Sequence, residues 1–524
     1  MILNHSKIAS YSQSELVWSS SVANATCTGI TWDSRCVKPG DLYVAITGER
    51  VCGHDYITSA IDAKATAIMI SKEIPLSTLE YAKSHDVSVM VCADPIVALS
   101  NLARQWNVNH LRQSIVIGVT GSSGKTSTKD ILHHVLGEYF KCTATKGNQN
   151  NELGVPYTLL CANPEDSFII VEMGMRGAGQ IAQLCEIARP NLGVITNIGC
   201  AHIELLGSVE AIANAKAELI CGMEQMGATK ISALSEKMGS RGWVCGLQAE
   251  SNFAFANFAD VRKIGDNRKF VSDSCTTAKI VINDLPKADA QGSTLTDFAL
   301  AFALPQDAGS DFHVEGASIH NIVLDTNACP AFDIEINGEV MPCKLKLQGL
   351  HSAHNAALVA SLCSHVGIPL AYIVEALESC EPAQGRQEHL ILSSGARVIM
   401  DCYNANPDSM EASLRVLGSI TKSGSKIAVL GDMGELGEMA ASSHLDIGAL
   451  VVSENIDLLI CCGELSKDYC KGAIQAGMPR QCALHFRNKN ELIDYLSSVI
   501  YENDIILLKA SRSCKFEEIA EGLK

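Results

Sequence analysis

The stretch IVIGVTGSSGKTSTKD, residues 115–130, constrains the fold more than any other segment. Ile115 to Val119 is an apolar, β-branched run and predicts a buried strand. Gly121 and Gly124 bracket Ser122 and Ser123, and glycine lets a backbone turn tightly and approach a ligand closely. From Thr126 and Ser127 onward the pattern is helical. Strand, glycine-rich turn and helix in this order aim backbone N–H groups and a helix N-terminus at an anion. In that geometry Lys125 reaches terminal phosphates and Thr126 can ligate Mg²⁺. The strict pattern G-x-x-x-x-G-K-[ST] needs glycine at 119, where this chain has Val119; the spacing is instead G-x-x-G-K-T. A glycine-rich turn without a ligand is the alternative. The joint occurrence of strand, loop, Lys-Thr and helix argues against it.

A chain of 524 residues predicts about three domains. Hydrophobic residues make up 47%, enough for a large core. There is no basic-then-apolar leader and no apolar run long enough to span a bilayer, so a cytoplasmic protein without membrane insertion is expected. The 21 cysteines are scattered and form no C-x-x-C pair. That usage fits a reducing compartment better than a disulfide framework, and speaks against a zinc ribbon. A net charge of −17 disfavours nucleic acid and anionic membranes as partners, so any phosphate site must be local.

The expected fold class is α/β with three domains. Residues 1–110 mix short strands and helices in a small N-terminal domain; the stretch from Thr31 to Ile70 reads as turn-rich, then helical, then a strand, with a turn at Pro39-Gly40. Residues 111–386 begin with the phosphate loop. There SFIIVEM and LGVITNIG alternate with helical stretches, the pattern of a mostly parallel sheet. Within them, 236–345 is less regular and reads as strands with long surface loops. Residues 387–524 carry strands at RVIMD, KIAVLGD, DLLICC and DIILLK separated by helices, a Rossmann-like doubly wound domain.

In open α/β sheets ligands sit at the carboxyl ends of strands. Glu172 ends one such strand and can ligate Mg²⁺ beside a nucleotide, or be a solvated strand-end acid. His202 follows another, and a lone histidine there is as readily structural. In GSVEAIANAKAELI, Ser208 is a candidate N-cap. Val209, Ile212, Ala213, Leu219 and Ile220 form an apolar stripe that contains Lys216. An ammonium on that stripe either snorkels to water or points into a site. Asp401, Tyr403, Asn404 and Asn406 cluster after a strand and suit a ribose or base, or an ordinary Asx-rich turn. Asp432 and Glu435 lie at another strand end. Lys509 and Arg512 lie at a further one, as a pair suited to a substrate carboxylate or as a solvated face.

Together these stretches resemble the Mur ligase family, ATP-dependent amide-forming ligases of bacterial cell-wall precursors. KGNQNNELGVPYTLL, DCYNANPDSM, VLGDMGELG and LLKASRS are most similar to the member that adds D-alanyl-D-alanine to UDP-N-acetylmuramoyl-tripeptide. The segment DSRCVKPGDLYVAITGERVCGHDY resembles the family's uridine-nucleotide domain. The resemblance covers nearly the whole chain except about 236–345, where an insertion is expected. It implies that the Gly121–Ser127 loop binds ATP, with Lys125 and Thr126 on phosphates and Mg²⁺. Glu172 and His202 would be magnesium ligands, and Lys216 would carry a CO₂-derived carbamate facing the metal. Asn355, Arg386, Asp401 and Asn404 would contact the nucleotide, and Ser34 the uridine part. Asn151, Asp432, Glu435, Lys509 and Arg512 would line the substrate and dipeptide sites. A monomer is expected. Cys52 departs from the family's usual Asp before Gly-His, which bears on fine contacts to the nucleotide. A sibling ligase adding one amino acid, a folate polyglutamate ligase and a P-loop switch are the rival readings.

Overall fold

The structure is a computed structural model that describes residues 1–48, 50–199, 201–222, 279–282, 312–314, 317–382, 387–421 and 424–524. The chain builds three α/β units in sequence order, each around its own sheet. In the first, strands Glu15–Trp18, Ser88–Val91, Ala67–Ile70, Asp41–Val44 and Gly29–Thr31 lie side by side in that order, antiparallel only at the first pair. The stretch expected to open as turns thus holds a fully buried strand, Asp41–Val44, directly after Pro39-Gly40. Turn residues flanking so short a strand masked its apolar DLYV core.

The central sheet runs Lys279–Ile282, Leu192–Ile195, Ile115–Thr120, Phe168–Glu172, Cys142–Ala144, with every adjacent pair parallel. Its strands Leu192–Ile195, Ile115–Thr120 and Phe168–Glu172 are buried on both faces, which is why they read as continuous apolar runs. Ile115, Ile117 and Val119 face helices Lys125–Gly137 and Leu350–His365. Val116, Ile169 and Val171 face the helices Pro95–His110, Gln180–Ala188 and Val209–Gly222. That second face is continuous with the core of the first unit through Leu42, Met69 and Met90. Gly118 lets the helix carrying Lys216 close on the sheet: a Cβ there would lie 2.8 Å from Leu219 Cδ1.

Within 236–345, Lys279–Ile282 extends the parallel sheet, and Phe312–Val314, Ala317–Leu324, Pro330–Ile336 and Glu339–Lys344 form an antiparallel one. The latter buries alternate residues of Pro330–Ile336, as a sheet covered on one side must. Much of the rest of that stretch, and with it the expected insertion, lies outside the described residues.

The third unit has six strands in the order Glu388–Ile391, Arg397–Asp401, Ile505–Lys509, Lys426–Gly431, Leu458–Cys462, Ala483–Phe486. All are parallel except the first, edge strand. Helices cover both faces, over two separate apolar cores. Asn406 caps the helix Pro407–Ser419: its side chain accepts from Ser409 N, Ser409 Oγ accepts from Asn406 N, and Pro407 fills the first turn. The third unit docks on the second through Arg397 Nη1 donating to Asn327 Oδ1 (3.0 Å) and Thr421 N donating to Thr326 O (3.1 Å).

Candidate active site

The phosphate loop leaves the middle of the central sheet. Gly121 (φ 148°) and Gly124 (φ 74°) take left-handed backbone. A Cβ on Gly121 would lie 1.9 Å from Thr196 Oγ1, so only glycine fits there. The neighbouring strand's exit holds the loop. Thr196 Oγ1 donates to Ser123 O (2.5 Å), Ser123 N donates to Asn197 Oδ1 (2.8 Å), and Ser122 N donates to Asn197 O (3.0 Å). Lys125 Nζ curls over the loop to Gly121 O (2.7 Å) and Ser122 O (3.1 Å). A phosphate oxygen is a stronger acceptor than either carbonyl.

Glu172 is buried at the end of its strand. Asn150 Nδ2 donates to its Oε1 (2.8 Å), and its backbone N–H donates to Thr145 Oγ1 (3.0 Å). Its Oε2 is buried with no hydrogen-bond partner. An orphaned carboxylate oxygen beside a phosphate loop is what a bound divalent cation would satisfy. His202 turns Nδ1 to Glu435 Oε2 (2.5 Å), a contact between the second and third units. Burial pulls the His202 pKa down, while the Glu435 carboxylate pulls it up. Both residues have left-handed backbone, φ 66° and 60°, and Arg176 Nη2 stands 3.6 Å from Glu435. Among the described residues no group of three His, Cys, Asp or Glu side chains forms a metal cage. The orphaned Glu172 oxygen fits a divalent cation completed by phosphate and water, and Thr126 and His202 line the same cleft.

Ser208 caps its helix as expected, accepting from Ala211 N (3.1 Å). Ile212, Ala213 and Leu219 of the apolar stripe are buried, and Lys216 is only 1% exposed. Snorkelling is thereby excluded. Among the described residues no carboxylate pairs with Lys216 and nothing accepts its hydrogen bonds. Burial, and then the charge of Lys125, push its pKa well below that of an ordinary lysine. The side chain lies on the cleft wall.

On the opposite side Lys509, also 1% exposed, donates to Asp401 Oδ2 (2.5 Å) and Asn404 O (3.2 Å). Ser413 Oγ donates to the same Asp401 oxygen (2.6 Å). Lys509 and Arg512 are thus not a pair: Lys509 is committed to Asp401, and Arg512 to Glu517. Strand ends bring Asp401 and Lys509 into register, which sequence spacing cannot show. Asp432 turns away from the cleft, its carboxylate accepting from the backbone N–H groups of Glu464, Leu465 and Ser466. Asn151 Oδ1 accepts from Leu153 N and Gly154 N at the start of the next helix, so it is Asn150 that meets Glu172. Asn355 lies against Gly124. Arg386 lies outside the described residues.

These side chains open on one cleft of about 1440 Å³. It brings together the Gly121–Ser127 loop, Asn151, Glu172, His202, Lys216, Asn355, Asp401, Asn404, Glu435, Lys509 and Arg512. Ser34, in the turn after Gly29–Thr31, and Asp432 are not on its walls. Sequence reading missed Asn150, Thr196 and Asn197, whose only signal was an asparagine-rich run and a polar strand exit. It also missed Trp32 and Arg104, which the first unit contributes to the wall.

A phosphate loop, an orphaned carboxylate beside it and a wall supplied by a separate doubly wound unit fit an ATP-dependent ligase. Three family profiles match the chain: "Mur ligase family, catalytic domain" over residues 26–106, "Mur ligase middle domain" over 119–259, and "Mur ligase, glutamate ligase domain" over 385–512. The chain belongs to the Mur ligase family. The Bacillus subtilis UDP-N-acetylmuramoyl-tripeptide--D-alanyl-D-alanine ligase is 30% identical to it over 496 residues, covering 94% of this chain and 93% of that one. The fold matches two solved structures, each at 22% identity. One is UDP-N-acetylmuramoylalanyl-D-glutamyl-2,6-diaminopimelate--D-alanyl-D-alanyl ligase from Acinetobacter baumannii (TM-score 0.70, covering 100% and 98%). The other is the MurF ligase of Thermotoga maritima in complex with ADP (TM-score 0.68, covering 94% and 96%).

Proposed function

We propose that the chain joins D-alanyl-D-alanine to a UDP-N-acetylmuramoyl-tripeptide, with ATP converted to ADP and phosphate. The observation that carries this reading is a cleft that all three units wall, in a chain similar over 94% of its length to a ligase of that name. Residues 1–110 would hold the uridine nucleotide, with Ser34 among the contacts, 111–386 the ATP, and 387–524 the incoming amine. One chain supplies every wall, so a monomer suffices. No helix among the described residues is long and apolar enough to cross a membrane, in keeping with a cytoplasmic enzyme.

The terminal carboxylate of the peptide accepts the γ-phosphoryl group: an O–P bond forms, the β–γ bridging bond breaks, and ADP and an acyl phosphate result. The dipeptide amine then attacks the acyl carbon. The C–O bond to phosphate breaks, inorganic phosphate leaves, and the amine gives up a proton. No protein nucleophile is needed, so catalysis rests on charge neutralisation and placement. Lys125 supplies a cation to the transferring group. Thr126, Glu172 and His202 would hold magnesium, which when bound neutralises phosphate charge. Asn355, Asp401 and Asn404 border the nucleotide, while Lys509 fixes Asp401 by their ion pair. Glu435 ties the third unit to His202 and so helps close the cleft against water.

The neutral amine of Lys216 is the form that attacks CO₂. The C–N bond forms, a proton leaves, and the product is a carbamate anion. That anion would give Lys125 and the metal a counter-charge the cleft wall otherwise lacks at this position. Phosphate release is the test. It should require ATP, the UDP-tripeptide and D-alanyl-D-alanine together; faster release with a single amino acid and a shorter UDP-peptide would overturn the reading.

A further inference from the structure

The helix Pro95–His110, with Asp94 as its N-cap, ends the first unit just before the phosphate-loop strand. Its Leu99, Leu102, Ala103 and Trp106 are buried in the shared core. The face made by Val97, Ser100, Asn101 and Arg104, at spacings of three and four, lines the cleft instead. Arg104 there is an exposed cation on the cleft wall. The chain carries 58 acidic residues against 41 basic ones, yet among the described residues no carboxylate or carbonyl pairs with Arg104. The other cleft cations are accounted for: Lys125 lies on its loop carbonyls, Arg176 faces Glu435, Lys509 is paired with Asp401 and Arg512 with Glu517. Lys216 is buried, and burial pushes its pKa down.

We infer that Arg104 is a specificity-determining contact for a carboxylate of the UDP-linked peptide other than the one that reacts. The inference rests on the proposed ligase reading and deepens it. The helix is the last of the first unit, and Arg104 shares its cleft with the phosphate loop, where the peptide's reacting end must meet ATP. Trp32, half-buried on the same wall, makes an edge-on contact with Tyr157, whose helix Gly154–Cys161 packs against that of Arg104. A peptide of the alanyl-D-glutamyl-2,6-diaminopimelate type has two such carboxylates. The glutamyl residue keeps one of its two, and diaminopimelate keeps the one that does not react. A planar guanidinium fork matches either one in bidentate fashion.

The experiment is steady-state phosphate release by wild type, Arg104→Gln and Arg104→Lys. Three UDP-peptides are compared: the parent, one whose glutamyl carboxylate is a carboxamide, and one with lysine in place of diaminopimelate. Arg104→Gln should raise KM for the parent about tenfold to a hundredfold, the range of a charge-assisted hydrogen bond, while kcat falls much less. Arg104→Lys should fall between, since it keeps the charge and loses the fork. Wild type should discriminate by a similar factor against whichever analogue lacks the bound carboxylate, and Arg104→Gln should not; the analogue affected tells which carboxylate is read. An unchanged KM in Arg104→Gln, or a rise equal for all three peptides, overturns the inference. Absence of turnover by wild type with the parent peptide would instead refute the ligase reading.

Discussion

Two lysines sit at the edge of one cleft, each 1% exposed, in opposite circumstances. Lys509, at a strand end of the third unit, is bound by Asp401 and the Asn404 carbonyl. Lys216, on the helix packed over the central sheet, has neither. Burying a cation is costly unless it is paired, and an unpaired one sheds its proton. The first lysine therefore organises the Asp401 loop through its ion pair, whereas burial pushes the pKa of the second well down. Burial by itself does not distinguish structure from chemistry; the presence of a counter-ion does.

The largest expected effects fall on the chemical side of the comparison. Lys125→Ala should lower turnover by about 10²–10³ or more, since it removes the cation at the transferring phosphoryl group. Lys216→Ala and Lys216→Arg should lose activity to a similar degree, arginine because its guanidinium keeps its proton and forms no carbamate. Stability should move the other way. Asp401→Asn leaves Lys509 buried and unpaired, and should cost about 3–5 kcal/mol in urea unfolding, the range for breaking a buried pair. Lys216→Met should cost nothing or stabilise, because it replaces an unpaired buried amine with an apolar chain of similar length. Equal destabilisation by both changes would erase the distinction.

The smallest effect comes from a third buried base. His354 is 1% exposed and burial lowers its pKa to about 3, against about 6.5 in an unfolded chain. The native state then binds fewer protons than the unfolded one below about pH 6.5. Its contribution to stability is whole above that pH and is lost as pH falls toward about 3, at up to about 1.4 kcal/mol per pH unit. His354→Gln should lower the acid slope of stability by about one proton in denaturant titrations at pH 7 and pH 5. An unchanged slope would show that the imidazole is not kept neutral.

The three-unit architecture was legible because β-branched runs and glycine-rich turns are local signals. Asp41–Val44 was hidden by the turn residues around it. The phosphate loop, Glu172 and the anomaly of Lys216 in its stripe were legible for the same local reason. What sequence could not show was partnership across units: that Lys509 meets Asp401 and not Arg512, that Glu435 meets His202, that Asp432 serves a neighbouring loop. Those pairings depend on strand order and register, which no single segment encodes.

The chemical state of Lys216 in the working enzyme is the decisive quantity. Protein equilibrated with ¹³C-bicarbonate should show a carbamate carbonyl resonance by ¹³C NMR. That signal should be absent from Lys216→Ala and present in Lys509→Met. A fully active wild type with no such resonance, or a resonance that survives Lys216→Ala, would contradict the carbamate.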